Sequence, residues 1–116
     1  MVLEEFRLLS RALTYLRCRP QNKFQRDCSQ IRLFFLAYCE DTNILRRGGY
    51  DKYRIVRSRA KRALSKGGVY SQRGLKEISE LDEYMKQHWL SAAGAGDMMI
   101  LLLLVKYLDA KNFVRS

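Results

Sequence analysis

The stretch Tyr50-Asp51-Lys52-Tyr53-Arg54-Ile55-Val56-Arg57-Ser58-Arg59-Ala60-Lys61-Arg62-Ala63-Leu64-Ser65 holds no proline and no glycine, and an apolar residue returns at every third or fourth place. At 100° per residue Tyr53, Val56, Ala60 and Leu64 fall on one side, the pattern of an amphipathic helix. Arg54, Arg59, Lys61 and Arg62 fall on its flanks and back. The small side chains of Ala60 and Ala63 let a neighbouring helix approach closely.

The same period recurs on both sides of this stretch. Gly48–Gly49, Gly67–Gly68 and the Gly94/Gly96 cluster each follow a helical segment, where a left-handed capping residue is expected. Five helices are predicted. The first runs from about Val2 to Cys18, with Leu3, Phe6, Leu9, Leu13 and Leu16 on one face, and stops at Pro20. Residues 19–27 read as a polar loop. The second starts near Asp27 or Ser29, either of which can accept a bond from a free backbone N–H. It presents Ile31, Phe34, Phe35 and Tyr38, and frays after Cys39 at the turn signal Asp41-Thr42-Asn43. The third spans about Tyr50 to Ser65. The fourth runs from near Ser71 to about Ala92, with a stripe of Leu75, Ile78, Leu81, Met85 and Trp89. The fifth starts at Asp97, read as its N-cap, and ends near Asn112. It is apolar almost all round, which suits a central helix or a subunit interface. With no strand-type alternation and no internal repeat, the fold class is all-α: a compact bundle of about five helices in one domain, residues 1–116.

The formal charge of +10 over 116 residues is concentrated in one window. Residues 46–76 contain Arg46, Arg47, Lys52, Arg54, Arg57, Arg59, Lys61, Arg62, Lys66, Arg73 and Lys76 against the single acid Asp51, whereas the flanking segments nearly cancel. Exposed helix faces usually interleave acids with bases, because each like-charge pair at i,i+4 costs a few tenths of a kcal/mol. Here Arg54, Arg57 and Lys61 follow one another at such spacings, as do Arg59, Arg62 and Lys66. A face that accepts this repulsion points to a polyanion, and arginine's planar fork suits phosphate oxygens. Interleaved Tyr50, Tyr53 and Tyr70 add aromatic surface for stacking, although the spacing of Tyr53 suits the core. The expected partner is a nucleic acid, read through its phosphates without base specificity, with an acidic protein surface or no partner at all as the alternatives.

Catalytic signals are weak. The one histidine, His88, sits beside Trp89 on a helical stripe, and no Ser/His/Asp arrangement is legible. Glu80, Asp82 and Glu83 read as a solvated face or as a surface that docks on the basic face of an identical subunit, a head-to-tail contact that would build a filament. The glycines at 67, 68 and 74 do not form a nucleotide fingerprint. Cys18, Cys28 and Cys39 form no CxxC pair and read as reduced thiols. No enzyme activity, cofactor or metal is therefore expected. Glu4, Glu5 and Arg7 interrupt any secretory signal. The apolar run of residues 98–105 is far short of the roughly 20 residues that span a bilayer, so no membrane partner and a cytoplasmic location are expected.

The string Asp27-Cys28-Ser29-Gln30-Ile31-Arg32-Leu33-Phe34-Phe35 resembles the Ser/Thr-x-Gln-Ile/Leu-Arg-Lys-Phe signature of the small subunit of type III-A (Csm-type) CRISPR effector complexes. Tyr53–Ala63 is similar to that family's basic central helix, and Leu103-Leu104-Val105-Lys106-Tyr107-Leu108 to its C-terminal end. The resemblance implies a small all-α subunit without catalytic activity. Several copies would stack along guide and target RNA beside other effector subunits. On that reading Arg32, Arg54, Arg57, Lys61 and Arg62 contact RNA phosphates. The wider expected RNA-binding set is Arg32, Arg46, Arg47, Lys52, Arg54, Arg57, Arg59, Lys61, Arg62, Lys66 and Arg73. Glu77, Glu80, Glu83, Met98 and Met99 are expected to make protein–protein contacts. Two alternatives are a viral or phage helical RNA-binding protein of the silencing-suppressor type, and a helical assembly factor with an acidic partner. The Leu-Tyr-Arg tripeptide of one such class is absent from Leu13-Thr14-Tyr15-Leu16-Arg17.

Overall fold

In a computed structural model of the chain, describing residues 2–19 and 21–115 with side chains over 4–19 and 22–108, Tyr53, Val56 and Ala60 are buried on one side of a helix as the spacing predicts, with Ala63 buried beside them, whereas Leu64 of the same predicted face is only half-buried. Five α-helices follow one another: α1 Val2–Arg17, α2 Phe24–Tyr38, α3 Thr42–Ser65, α4 Gln72–Gln87 and α5 Ala93–Arg115. Two short 3-10 turns, Gln21–Lys23 and Gly68–Tyr70, lead into α2 and α4. The described residues contain no strand. Pro20, read as the stop of the first helix, lies outside the described residues.

Helix α2 is central: it packs on α1, α3 and α5, while α4 lies against α3 and the second 3-10 turn. Phe35, Ile44, Val56 and Leu102, from α2, α3 and α5, are fully buried and meet in the core. The absent bulk at Ala60 and Ala63, both wholly buried, lets α3 lie close to its neighbours.

Several boundaries differ from the sequence expectation, each for a local reason. Helix α2 begins at Phe24, before both expected caps, because Asp27 is spent elsewhere: it is wholly buried and bonded to Arg19 and Tyr70. Helix α3 begins eight residues before Tyr50. Asp41 caps its N-terminus, and Gly48–Gly49 form a kink rather than an end, Gly49 having φ 78° and ψ 174°. Only glycine takes that left-handed conformation without cost. Helix α4 starts next to Ser71 as expected, and Ser71 is its cap, accepting from Gly74 N at 2.9 Å. Helix α4 stops at Gln87 because Trp89 is left-handed (φ 57°). That reversal turns Leu90 into the core and leaves Trp89, expected on the buried stripe, 85% exposed. Leu75, placed on the same stripe, is also exposed.

Helix α5 starts at Ala93, four residues before Asp97. One row, Ala95, Met98 and Leu102, is buried, whereas Ile100, Leu101, Leu103, Leu104 and Leu108 face outward. Leu102→Ala is expected to cost about 2–5 kcal/mol in urea unfolding, and Ile100→Ala to stay within about 0.5 kcal/mol. Equal costs would mean that both faces of α5 are covered.

Candidate functional site

Asp41 lies between the N-termini of two helices. Its Oδ1 accepts from Asn43 N at 3.0 Å and Ile44 N at 3.2 Å, capping α3. Its Oδ2 accepts from Gly94 N at 3.0 Å and Ala95 N at 3.4 Å, capping α5. The side chain is buried, 2% exposed. Both helix ends carry partial positive charge, which one carboxylate neutralises. Asn43 adds a bond from Nδ2 to the Ser91 carbonyl at 3.1 Å. Gly94 permits the contact, since a Cβ there would come within 2.8 Å of Asp41 Cγ. Leu90 packs against Gly48, where a Cβ would come within 2.8 Å of its Cδ2. The α2–α3 turn, the glycine kink and the α4–α5 turn are thus tied into one junction. With all four bonds made to backbone amides, Asp41 is a scaffold rather than a free base.

The basic residues stand around this junction and along α3, in three environments. Arg46, Arg47, Lys52, Arg32 and Arg73 carry no ion pair among the described residues. Arg46 and Arg47 are exposed within the first turns of α3, and Arg32 lies on the rim of a groove of about 450 Å³ between α2 and α4. A second set is stacked on aromatic rings: Arg54 over Tyr50, Arg59 over Tyr84 and Lys61 over Tyr38, at 5.9, 4.8 and 5.1 Å from the ring centroids. A third set is engaged within the fold. Arg57 donates from Nε to Ala37 O (3.2 Å), from Nη1 to Tyr53 Oη (3.0 Å) and from Nη2 to Tyr38 O (3.3 Å), closing the C-terminal end of α2. Arg62 and Lys66 both pair with Glu77, at 3.2 and 2.7 Å. The bond from Lys66 is the main reason that the Glu77 carboxyl sits below its ordinary range.

Glu77, expected at a subunit contact, therefore joins α3 to α4 within the chain. Glu80 and Glu83 are exposed. Met98 is buried in the core and Met99 is half-buried, so the outward apolar row of α5 consists of other residues. Tyr50 and Tyr70 are both exposed, and Tyr53 is core.

A second polar cluster ties the end of α1 to the start of α2 and the turn before α4. Tyr70 Oη donates to Asp27 Oδ1 at 2.6 Å, and Arg19 pairs with the same oxygen at 3.2 Å. With its proton committed there, Tyr70 accepts from the Tyr15 hydroxyl at 2.5 Å. Burial pushes the Asp27 carboxyl up, but the bonds from Tyr70 and Arg19 outweigh it and hold the group below its ordinary value. Burial, then the bond to Asp27, raises the Tyr70 hydroxyl well above its ordinary value. The three cysteines are free thiols. Burial also raises Cys28 and Cys39. Among the described residues no three His, Cys, Asp or Glu side chains gather as metal ligands, and no helix is long and apolar enough to cross a membrane.

The family model for CitG, ATP:dephospho-CoA triphosphoribosyl transferase, matches residues 3–115, and the chain belongs to that family. A protein of Acinetobacter calcoaceticus named probable 2-(5''-triphosphoribosyl)-3'-dephosphocoenzyme-A synthase is 31% identical over 83 residues, 71% of this chain and 28% of that protein. The 2-(5''-triphosphoribosyl)-3'-dephosphocoenzyme-A synthase of Klebsiella pneumoniae is 33% identical over 70 residues, 60% of this chain and 23% of that protein. The chain thus spans about a quarter of the length of these relatives. No solved structure matches it.

Membership of a transferase family overturns the expected small subunit of a type III CRISPR complex, and with it the non-catalytic RNA-binding and antiviral role. Guide and target RNA, other effector subunits and copies of the chain fall as the expected partners. The silencing-suppressor and assembly-factor alternatives fall with them. The physical cause of the error is plain. A dense run of cations sets up a positive field, and a positive field does not identify the anion that meets it. The Asp27–Phe35 string that carried the resemblance follows from packing: Asp27, Ile31 and Phe35 are buried, and Gln30 Oε1 accepts from Val69 N at 2.9 Å.

Asp41, Asn43 and Gly94 escaped the sequence reading. Asp41-Thr42-Asn43 was legible as a turn and Gly94 as a cap, but their pairing spans 53 residues. Asp41→Ala is expected to cost about 2–4 kcal/mol in urea unfolding, roughly two N-caps; a cost of one cap or less would mean that α5 is held by other contacts. The second cluster predicts a pH window. The depressed Asp27 stabilises the fold above its unfolded value near pH 4, a contribution lost as pH falls through its lower folded value. The raised Tyr70 stabilises the fold below about pH 10, a contribution lost as pH rises further. Tyr70→Phe should flatten the alkaline limb of a melting-temperature profile; an unchanged limb would place the alkaline loss elsewhere.

Proposed function

We propose that this chain takes part in triphosphoribosyl transfer from ATP to dephospho-CoA, and that the cations around the Asp41 junction hold nucleotide phosphates. Family membership supports the reaction class. The observation that carries the site is the unpaired set Arg46, Arg47 and Lys52 beside a turn fixed by two helix caps. Moving a triphosphoribosyl group exchanges the bond between ribose and adenine for one between that ribose carbon and a hydroxyl oxygen of dephospho-CoA; adenine leaves, the hydroxyl proton passes to it, and the triphosphate stays whole. Such a site has to grip a triphosphate without cleaving it, which calls for positioned cations and no phosphate-directed nucleophile. A glycine kink next to Arg46 and Arg47 also lets a bulky anion approach the backbone closely.

The other basic residues take graded parts in this reading. Arg54 and Lys61, stacked on Tyr50 and Tyr38, stand where the second nucleotide's phosphates would be met. Arg32 and Arg73 are further phosphate contacts. Arg59, Arg62 and Lys66 hold α3 on α4 and shape the field, and Arg57 holds α2 on α3. Glu80 and Glu83 remain the polar surface for protein contact. The free thiols support a cytoplasmic setting.

The test is direct, because Trp89 is the single tryptophan and sits at the α4–α5 turn. Titration of the chain by Trp89 fluorescence should show ATP binding at least 10-fold more tightly than AMP. Arg46→Ala with Arg47→Ala should weaken ATP by about 10-fold or more, since a charge-assisted hydrogen bond contributes about 1.5–3 kcal/mol. Equal affinity for ATP and AMP, or a double variant with unchanged ATP affinity, would remove the junction as the triphosphate site.

A further inference from the structure

Helix α5 has two apolar faces and one of them has nothing against it among the described residues. The inner row Ala95, Met98 and Leu102 packs on α1 and α2. The outer row contains Ile100 (68% exposed), Leu101, Leu103, Leu104 (52% exposed) and Leu108. Between Asp97 and Lys106 the helix carries no charge, a neutral strip of roughly 12 Å at 1.5 Å per residue. A helix that is apolar all round belongs inside a larger protein or a membrane, and no helix among the described residues is suited to cross one. A contiguous exposed patch of large aliphatic side chains marks an interface.

Family membership supplies the occupant. The family match runs from residue 3 to 115 and so takes in all of this strip. Yet the aligned segment accounts for only 28% and 23% of two relatives. The family match thus includes α5, and about three quarters of each of those relatives lies outside the stretch matched to this chain. We propose that the outer face of α5 is the seat of that remaining portion of a CitG-family protein, received as a neutral, apolar surface. The strip is then an internal packing face of the family's longer proteins. This rests on family membership and not on the assignment of the triphosphate site.

The test places the same change in two settings. Ile100→Lys with Leu104→Lys is made in this chain, and the matching positions are changed in the intact Acinetobacter calcoaceticus relative. Melting is followed by circular dichroism and assembly by sedimentation. The chain variant should melt within about 3 °C of its parent, while the relative should lose about 10 °C or more, as for charges placed at a buried site. A relative that melts unchanged overturns the proposal. So does a chain variant that falls as far as the relative, because the strip would then belong to this chain's own core. A chain that sediments as a dimer, and as a monomer once the lysines are in place, would make a second copy the occupant and also overturn it. Neither readout involves ATP, so the triphosphate reading stands or falls separately.

Discussion

One buried carboxylate sets the geometry of this molecule. Asp41 accepts four backbone N–H bonds, two from the first turn of α3 and two from the first turn of α5. Two helix N-termini brought together repel, because both ends carry partial positive charge and unsatisfied donors. The carboxylate removes the repulsion and satisfies the donors together. Everything around it follows: the direction in which α3 leaves α2, the return of α5 across α2, and the convergence of two glycine-containing turns beside Arg46 and Arg47. Asn43, reaching the Ser91 carbonyl, locks the same junction from the other side.

Helix α3 has to be both a wall of the core and a carrier of charge. It reconciles these by giving its cations different neighbours. The buried row of Tyr53, Val56, Ala60 and Ala63 faces inward. On one flank Arg54 and Lys61 lie over tyrosine rings, and Arg57 caps the exposed carbonyls of α2. On the other flank Arg62 and Lys66 share Glu77 and Arg59 lies over Tyr84. Cation–π contacts and the shared carboxylate offset part of the like-charge repulsion. On α3, the cations without an ion pair among the described residues, Arg46, Arg47 and Lys52, lie on both sides of the glycine kink.

Trp89 shows how the ends of α4 and α5 are arranged around that region. Its left-handed backbone carries strain of about 1–2 kcal/mol for a residue with a side chain. The return is the burial of Leu90 against Gly48, and with it the alignment of α5's first turn on Asp41.

By itself the sequence determined the helical class, five helices, most of the buried face of α3, the start of α4 near Ser71 and the concentration of positive charge. Each of these is local: a period of 3.6 or a run of one charge sign can be read from neighbours along the chain. The local signals also set a trap, since glycine pairs at 48–49 and 94/96 look like helix ends when read alone. Tertiary structure alone decided that Gly49 is a kink inside α3, that Asp41 serves α5 from 53 residues away, that Trp89 turns outward, and which arginines remain unpaired. Those outcomes depend on contacts between residues far apart in sequence, and charge density by itself names no partner.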